Sequence, residues 1–211
     1  MLIQAQGGGI PSTSNKSSQN NAGQGWLNEL LISELLPQYS ALAQASLLFT
    51  TFANAVTLAA THASPIAAGT GTPIISVFNP ANSGKNLHVI KMLQATTSGT
   101  PGGPLVWNLI PNPANITAAS SAPFNNLSLT QTGSVARCWN NTAVTGSTVG
   151  TAFRNAGGPA AALATGSVLT FLEEFKGSII VPPGSMLALA ATAAGTTHII
   201  SAFAEWAELP V

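Results

Sequence analysis

From about residue 72 onward, short runs of β-branched and aromatic residues are set between Gly, Pro, Asn and Ser. The candidate strands are 73–79 (PIISVFN), 86–95 (NLHVIKMLQA), 104–110 (PLVWNLI), 133–139 (GSVARCW), 167–175 (SVLTFLEEF), 177–182 (GSIIVP), 185–192 (SMLALAAT) and 197–208 (THIISAFAEWAE). Short strands bounded by turn residues, with no helix-length periodic segment among them, predict an all-β fold, a jelly-roll-like antiparallel β-sandwich over residues 72–211. Pro182-Pro183-Gly184 reads as a tight turn between two late strands. The span 111–166 is dominated by Pro, Asn, Ala and Gly and is expected to decorate one end as loops. In the last strand Ile200, Ala202, Ala204 and Trp206 share one face, and Ile199, Ser201, Phe203 and Ala207 the other. Apolar residues on both faces require cover on both. The core supplies one cover; a neighbouring subunit, a loop or a helical segment supplies the other.

The N-terminal third reads differently. Residues 1–25 form an extended low-complexity arm of Gln, Gly, Ser and Asn, whose periodicity Gly7-Gly8-Gly9 and Pro11 break. Fully extended, such an arm reaches roughly 80 Å at about 3.3 Å per residue. Residues 26–36 (WLNELLISELL) place Trp26, Leu27, Leu30, Leu31 and Leu35 at helical spacing, and Pro37 stops the pattern. One short helix is expected there, although an irregular strand fits the same residues. Residues 26–71, uncharged from residue 35 on, make up a connecting and oligomerisation segment. Within it 41–60 has the length of a bilayer span. Gln44, Thr50, Thr51, Asn54 and Thr57 through its middle, and the lack of a flanking Lys/Arg cluster, argue against a membrane helix. A buried strand pair or an intersubunit helix is the expectation.

Charge changes the picture. The 211 residues hold six Lys or Arg, six Glu and no Asp, 6% charged, against roughly 25% in an ordinary soluble domain. Net charge is zero, so no basic stripe is available to neutralise phosphates and nucleic acid is not an expected partner. Soluble monomers are kept apart by interspersed charge; so neutral a chain is expected to hide surface against partners. Residues 35–84 and 92–136 carry no charge, which places the expected contacts in the N-terminal third and around the first sandwich strands. Met1 to Gly9 lacks the basic and then apolar regions of a secretory signal. Sequons beginning at Asn15, Asn115, Asn126 and Asn140 then indicate only a chain rich in Asn, Ser and Thr. The single Cys138 forms no internal disulfide and no CxxC site; a buried, inert thiol is expected.

Candidate chemistry is sparse. Asn79-Pro80-Ala81-Asn82-Ser83-Gly84-Lys85-Asn86 superficially resembles a phosphate-cradling loop. Asn79 stands where that loop needs Gly, Asn86 where it needs Ser or Thr, and the segment joins two strands rather than opening a helix. As structure it makes a turn, with Lys85 solvating its end. His62, His88 and His198 lie in separate segments without metal-ligand spacing, and no GxSxG elbow occurs. Glu173 and Glu174 are adjacent on a strand and point to opposite faces, as Glu205 and Glu208 also do. Neither pair suits two carboxylates acting on one bond. Trp26, Trp107, Trp139 and Trp206 read as core or interface anchors before sugar platforms. No catalytic residue, cofactor or metal is expected.

The runs FNPANSGKNLHVIKM (78–92), IIVPPGSMLALAA (179–191) and AFAEWAELP (202–210) resemble a group of bacteriophage virion proteins. In that group an Asn-Pro-x-x-Ser-Gly-Lys-Asn turn joins two strands, a Pro-Gly turn comes late and the chain closes on a Trp-Glu strand. The likeness covers about residues 80–210 and carries architecture, with no catalytic residue to transfer. It implies a β-sandwich capsid-decorating (cement) or tail-associated subunit, commonly trimeric. The expectation is therefore a non-enzymatic virion protein that forms a homotrimer and stabilises neighbours such as the major capsid protein. The expected subunit interface comprises Phe49, Phe52, Ile199, Phe203 and Trp206; Asn79, Pro80, Ser83, Gly84 and Lys85 form the structural turn. The alternative is a tail or spike head binding a host receptor or glycan, with Trp139 and the 111–166 loops in contact with sugar.

Overall fold

In a computed structural model the described residues are 39–99, 103–111, 122–131, 133–144, 148–158, 168–192 and 197–211. The arm 1–25 and the expected helix 26–36 lie outside them. A one-turn helix α1 (Ser40–Gln44) leads into β1 (Leu48–Thr57), followed by β2 (Ile75–Asn79), β3 (Lys85–Ser98) and β4 (Leu105–Pro111). Then come β5 (Phe124–Asn125), β6 (Thr151–Gly157), β7 (Leu169–Val181), β8 (Ser185–Ala191) and β9 (Ile199–Pro210).

The strands form two antiparallel sheets, ordered β5-β1-β9-β3-β7 and β2-β8-β4-β6. Odd-numbered strands occupy the five-stranded sheet and even-numbered strands the four-stranded one, so every successive strand crosses to the opposite layer. This is jelly-roll winding, with β9 inserted between β1 and β3. The sequence boundary at residue 72 is corrected: β1 pairs along β9 from Leu48 opposite Ala207 to Thr57 opposite Ile199, so the sandwich begins at residue 48.

Between the layers lies a core of Phe49, Val56, Ile75, Val77, Leu87, Val89, Met92, Leu105, Trp107, Leu187, Leu189, Ile200 and Trp206. The pleat supplies it, since these side chains alternate along each strand with outward ones. At about 25 cal/mol per Å² such burial is the main favourable term in the fold. The outer face of the four-stranded sheet carries a second apolar cluster. There Met186, Ala188, Ala190 and Ile110 are covered by Ile66 from the segment after β1 and by Trp139 and Val144 from the segment after β5. Ser76 and Trp139 exchange hydrogen bonds at 3.0 Å, and His62 Nε2 lies 2.9 Å from Asn141 Oδ1, fastening that cover.

Three strand expectations change. Residues 133–139 meet the sheet through one bridge, Arg137 opposite Phe78. Their N–H groups are taken instead by Glu208 and by the side chains of Ser134 and Ser76. The expected strands 167–175 and 177–182 are one strand, β7, in which Lys176 (φ 52°) and Gly177 (φ 83°) take up a register shift against β3 without ending the pairing. The loop-rich span holds two strands, β5 and β6. In the 41–60 segment the structure shows α1 and a single strand rather than a strand pair. Among the described residues no helix is long and apolar enough to cross a membrane.

Candidate assembly surface

Asn79, at the end of β2, is fully buried and clamps both crossovers at one end of the sandwich. Its Nδ2 donates to the carbonyls of Lys85 (2.7 Å) and Val181 (2.8 Å), and its own carbonyl accepts from Gly184 N–H at 2.8 Å. Pro80 O accepts from Ser83 N–H at 3.0 Å, and Gly84 (φ 65°) and Gly184 (φ 82°) adopt the left-handed backbone that each turn needs. Lys85 does more than solvate the turn. Its ammonium lies 3.2 Å from Glu208 Oε2, and Glu208 is wholly buried. Glu208 also accepts hydrogen bonds from Ser134 Oγ, Val135 N–H and Trp206 Nε1, joining three segments.

The charges are consumed in pairs. Each of the four described glutamates has a cation: Lys85 for Glu208, Lys91 for Glu205, Arg154 for Glu173 and Lys176 for Glu174. Glu173 and Glu174 do point to opposite faces. Glu173 turns inward, accepts from Trp107 Nε1 at 2.8 Å and holds Arg154, whose guanidinium sits 5.0 Å from the Phe175 ring centroid. Glu174 faces out, opposite Lys91 across the β3–β7 ladder.

Two members of the expected interface are corrected. Phe49 and Trp206 are fully buried between the sheets, with ring centroids 6.4 Å apart in a stacked arrangement. Trp206 is on the inner face of a strand paired on both sides, which leaves it no surface to offer. Phe52, Phe203 and Ile199 project from the opposite, outer face of the five-stranded sheet. Direct cross-strand partners share a face, so the register Phe52↔Phe203, Leu93↔Phe203 and Leu93↔Leu172 sets four apolar side chains in one row across β1, β9, β3 and β7. Phe52 is 54% and Leu172 53% exposed at the two ends; Phe203 and Leu93 are half-buried between them. The next row is Thr50, Glu205, Lys91 and Glu174. Beyond it Leu48, Ile90 and Ala207 are covered by Tyr39, Leu42 and Ala43 of the α1 region. Among the described residues, cover on this face thus stops short of the Phe52–Leu172 row.

A second exposed region runs along one side of the sandwich. Among the described residues β6 pairs only with β4 and β7 only with β3, so both present an open edge, and they adjoin each other. Phe153 on β6, Val168 just before β7 and Ile180 on β7 are exposed there. Trp139 is corrected as a sugar platform: it is buried, its ring centroid 5.8 Å from that of Phe78 in the second cluster. Cys138 is buried, and that burial pushes its thiol up to about 12. Among the described residues no group of three His, Cys, Asp or Glu side chains is placed to hold a metal ion. Sequence reasoning did not find Leu93 and Leu172. Their register with Phe203 is the signal, and only the pairing reveals it.

No protein-family model matches the chain, and no curated protein matches it. A solved structure of the unassembled KI polyomavirus VP1 pentamer aligns at 12% identity and a TM-score of 0.24, covering 85% of this chain and 99% of that one. An overlap this loose carries no argument; the jelly-roll reading rests on the strand order alone.

Proposed function

We propose that this protein is a non-enzymatic structural subunit of a bacteriophage particle, a decoration subunit that self-associates as a homotrimer and binds neighbouring virion proteins. The observation that carries the reading is the open β6–β7 side. Among the described residues two strand edges without a partner strand stand together there, with Phe153, Val168 and Ile180 exposed beside them, on a surface whose described glutamates all have a cation. Monomeric domains blunt such edges with free charge or cover them; a subunit that assembles uses them. The jelly-roll winding and the likeness of the 78–92, 179–191 and 202–210 runs to virion proteins support the same reading, although the fold also serves lectins and so does not choose by itself. Adhesion of this kind acts through buried area and backbone hydrogen bonds, with weak salt dependence.

The test is the mass of the purified full chain by light scattering after gel filtration at micromolar concentration. A trimer that Phe153→Glu with Val168→Glu dissociates, with unchanged circular dichroism, is the expected result. A stable soluble monomer overturns the reading.

A further inference from the structure

Among the described residues β5 and β7 are the two outer strands of the five-stranded sheet, four strand intervals or about 19 Å apart. On the β7 side stand Phe153, Val168 and Ile180. The β4–β6 register passes from Trp107 opposite Arg154 to Asn108 opposite Ala152, which leaves Phe153 as the extra residue of a bulge. A bulge at an edge re-aims a side chain. On the β5 side the turn after Phe124 is tied by its own hydrogen bonds. Asn125 Oδ1 accepts from the N–H groups of Leu127 (2.9 Å) and Ser128 (3.2 Å), Asn125 O accepts from Leu129 N–H at 2.8 Å, and Asn125 N–H donates to Thr130 O at 2.8 Å. The turn so held presents Phe124, Leu127 and Leu129 to solvent, Leu129 with 77% of its surface exposed. Leu129 also holds φ 56°, a left-handed backbone that Gly or Asn adopts at lower cost. A strained leucine kept in solvent on a tied turn points to a contact that buries it.

We infer that the β5 turn of one subunit docks on the β6–β7 side of the next copy of this chain, with Leu127 and Leu129 seated against Phe153, Val168 and Ile180. The inference rests on the proposed self-association and names the surface that meets the β6–β7 side. A ring of three needs two different patches on every subunit, because a patch that meets itself closes a two-fold pair instead. The two apolar patches stand at opposite edges of one sheet, as head-to-tail contact requires. Charge agrees with the match. Arg154 with Glu173 and Lys176 with Glu174 are already paired on the β6–β7 side, and residues 92–136 bring no charge to compete for them. The leucines then form an apolar centre and the paired ions a polar rim.

Complementation between two variants of the full chain tests this. Leu127→Ser with Leu129→Asn removes the apolar turn and suits its left-handed backbone; Phe153→Glu with Val168→Glu spoils the opposite side. Each variant alone should be a monomer by light scattering at micromolar concentration, with the circular dichroism of the parent. Mixed in equal amounts they should form a one-to-one pair and nothing larger, because one intact turn meets one intact β6–β7 side and the ring cannot close. A turn variant that assembles like the parent, or a mixture that stays monomeric, overturns this contact and leaves self-association standing. A monomeric parent overturns both. Should the double turn variant fail to fold, Leu129→Gly alone, which suits φ 56°, reads the same contact. It should move the midpoint of dissociation about tenfold or more to higher concentration, the loss expected from one buried leucine; an unmoved midpoint overturns the contact.

Discussion

Removing the cation from the buried Lys85–Glu208 pair tests how β3, β9 and the 134–135 segment are locked together at the turn end. Lys85→Met leaves the Glu208 carboxylate buried with its hydrogen bonds from Ser134, Val135 and Trp206 but without its counter-charge. Breaking a buried ion pair from one side costs about 3–5 kcal/mol. The Lys85 side chain is 29% exposed while that of Glu208 is not exposed at all. Water therefore already screens part of the pair, which puts the expected loss near the low end, about 3 kcal/mol. In a chain of this size that is a fall in Tm of roughly 6–12 °C. Glu208→Gln keeps the shape and some hydrogen bonding and should cost about 2 kcal/mol. The double variant should cost less than the sum by about 1–3 kcal/mol, because the second change removes the charge that the first left stranded. Urea unfolding followed by tryptophan fluorescence and far-ultraviolet circular dichroism measures all four proteins. Lys85→Met within 0.5 kcal/mol of the parent, or strict additivity, would refute the argument that this pair is a buried lock.

Asn79→Ala should destabilise by about 2–4 kcal/mol, because two buried carbonyls lose their donor. Asn79→Asp should be worse still, since it turns a carboxylate on the carbonyls of Lys85 and Val181; thermal melts rank the two. His198 is buried, with Nε2 3.1 Å from Thr96 Oγ1, and desolvation lowers its pKa from 6.5. The unfolded chain therefore binds this proton more readily than the folded one, and stability present above about pH 6.5 should fall as pH drops below it. His198→Gln should flatten that slope in urea titrations between pH 7 and 5; an unchanged slope counts against the assignment. Cys138, its thiol raised to about 12 by burial, should resist iodoacetamide at pH 8 in the native state and react on unfolding. Mass spectrometry reads the adduct.

Most late strands are legible in the sequence because their apolar residues alternate between clear turn signals. β1 is not, because a bulge interrupts it. The register against β9 shifts between Ala53 and Val56, with Ala55 at φ 49°, so Phe49, Thr51 and Ala53 keep period two and Val56 breaks it. Residues 133–139 mislead in the opposite direction. They carry apolar residues after a turn glycine, yet Ala136 and Cys138 fill the core between the sheets, Trp139 covers the outer cluster, and apart from the one bridge side chains satisfy their N–H groups. β6 (TAFRNAG) has almost no apolar pattern and becomes a strand by pairing with β4. The neutrality of residues 35–84 has a nearer cause than partners alone: Phe49, Val56, Leu58, Ile66, Ile74, Ile75 and Val77 are buried within the chain's own clusters. For the candidate surface, residue type located Phe52, Phe203 and Ile199, but which face each strand turns outward is a matter of register.

The placement of β9 governs how the molecule comes into being. Until Ile199–Pro210 has emerged from the ribosome, β1 and β3 have no strand between them and the five-stranded sheet is split down its middle. Until then the apolar inner faces of β1 and β3 lack their closing strand. Closure of that sheet depends on contacts between residues far apart in sequence, β1 with β9 above all, and is expected to be slow for a domain of this size. A chain cut before residue 199 should therefore leave an open sheet rather than a smaller domain, with the facing edges of β1 and β3 as its expected aggregation sites.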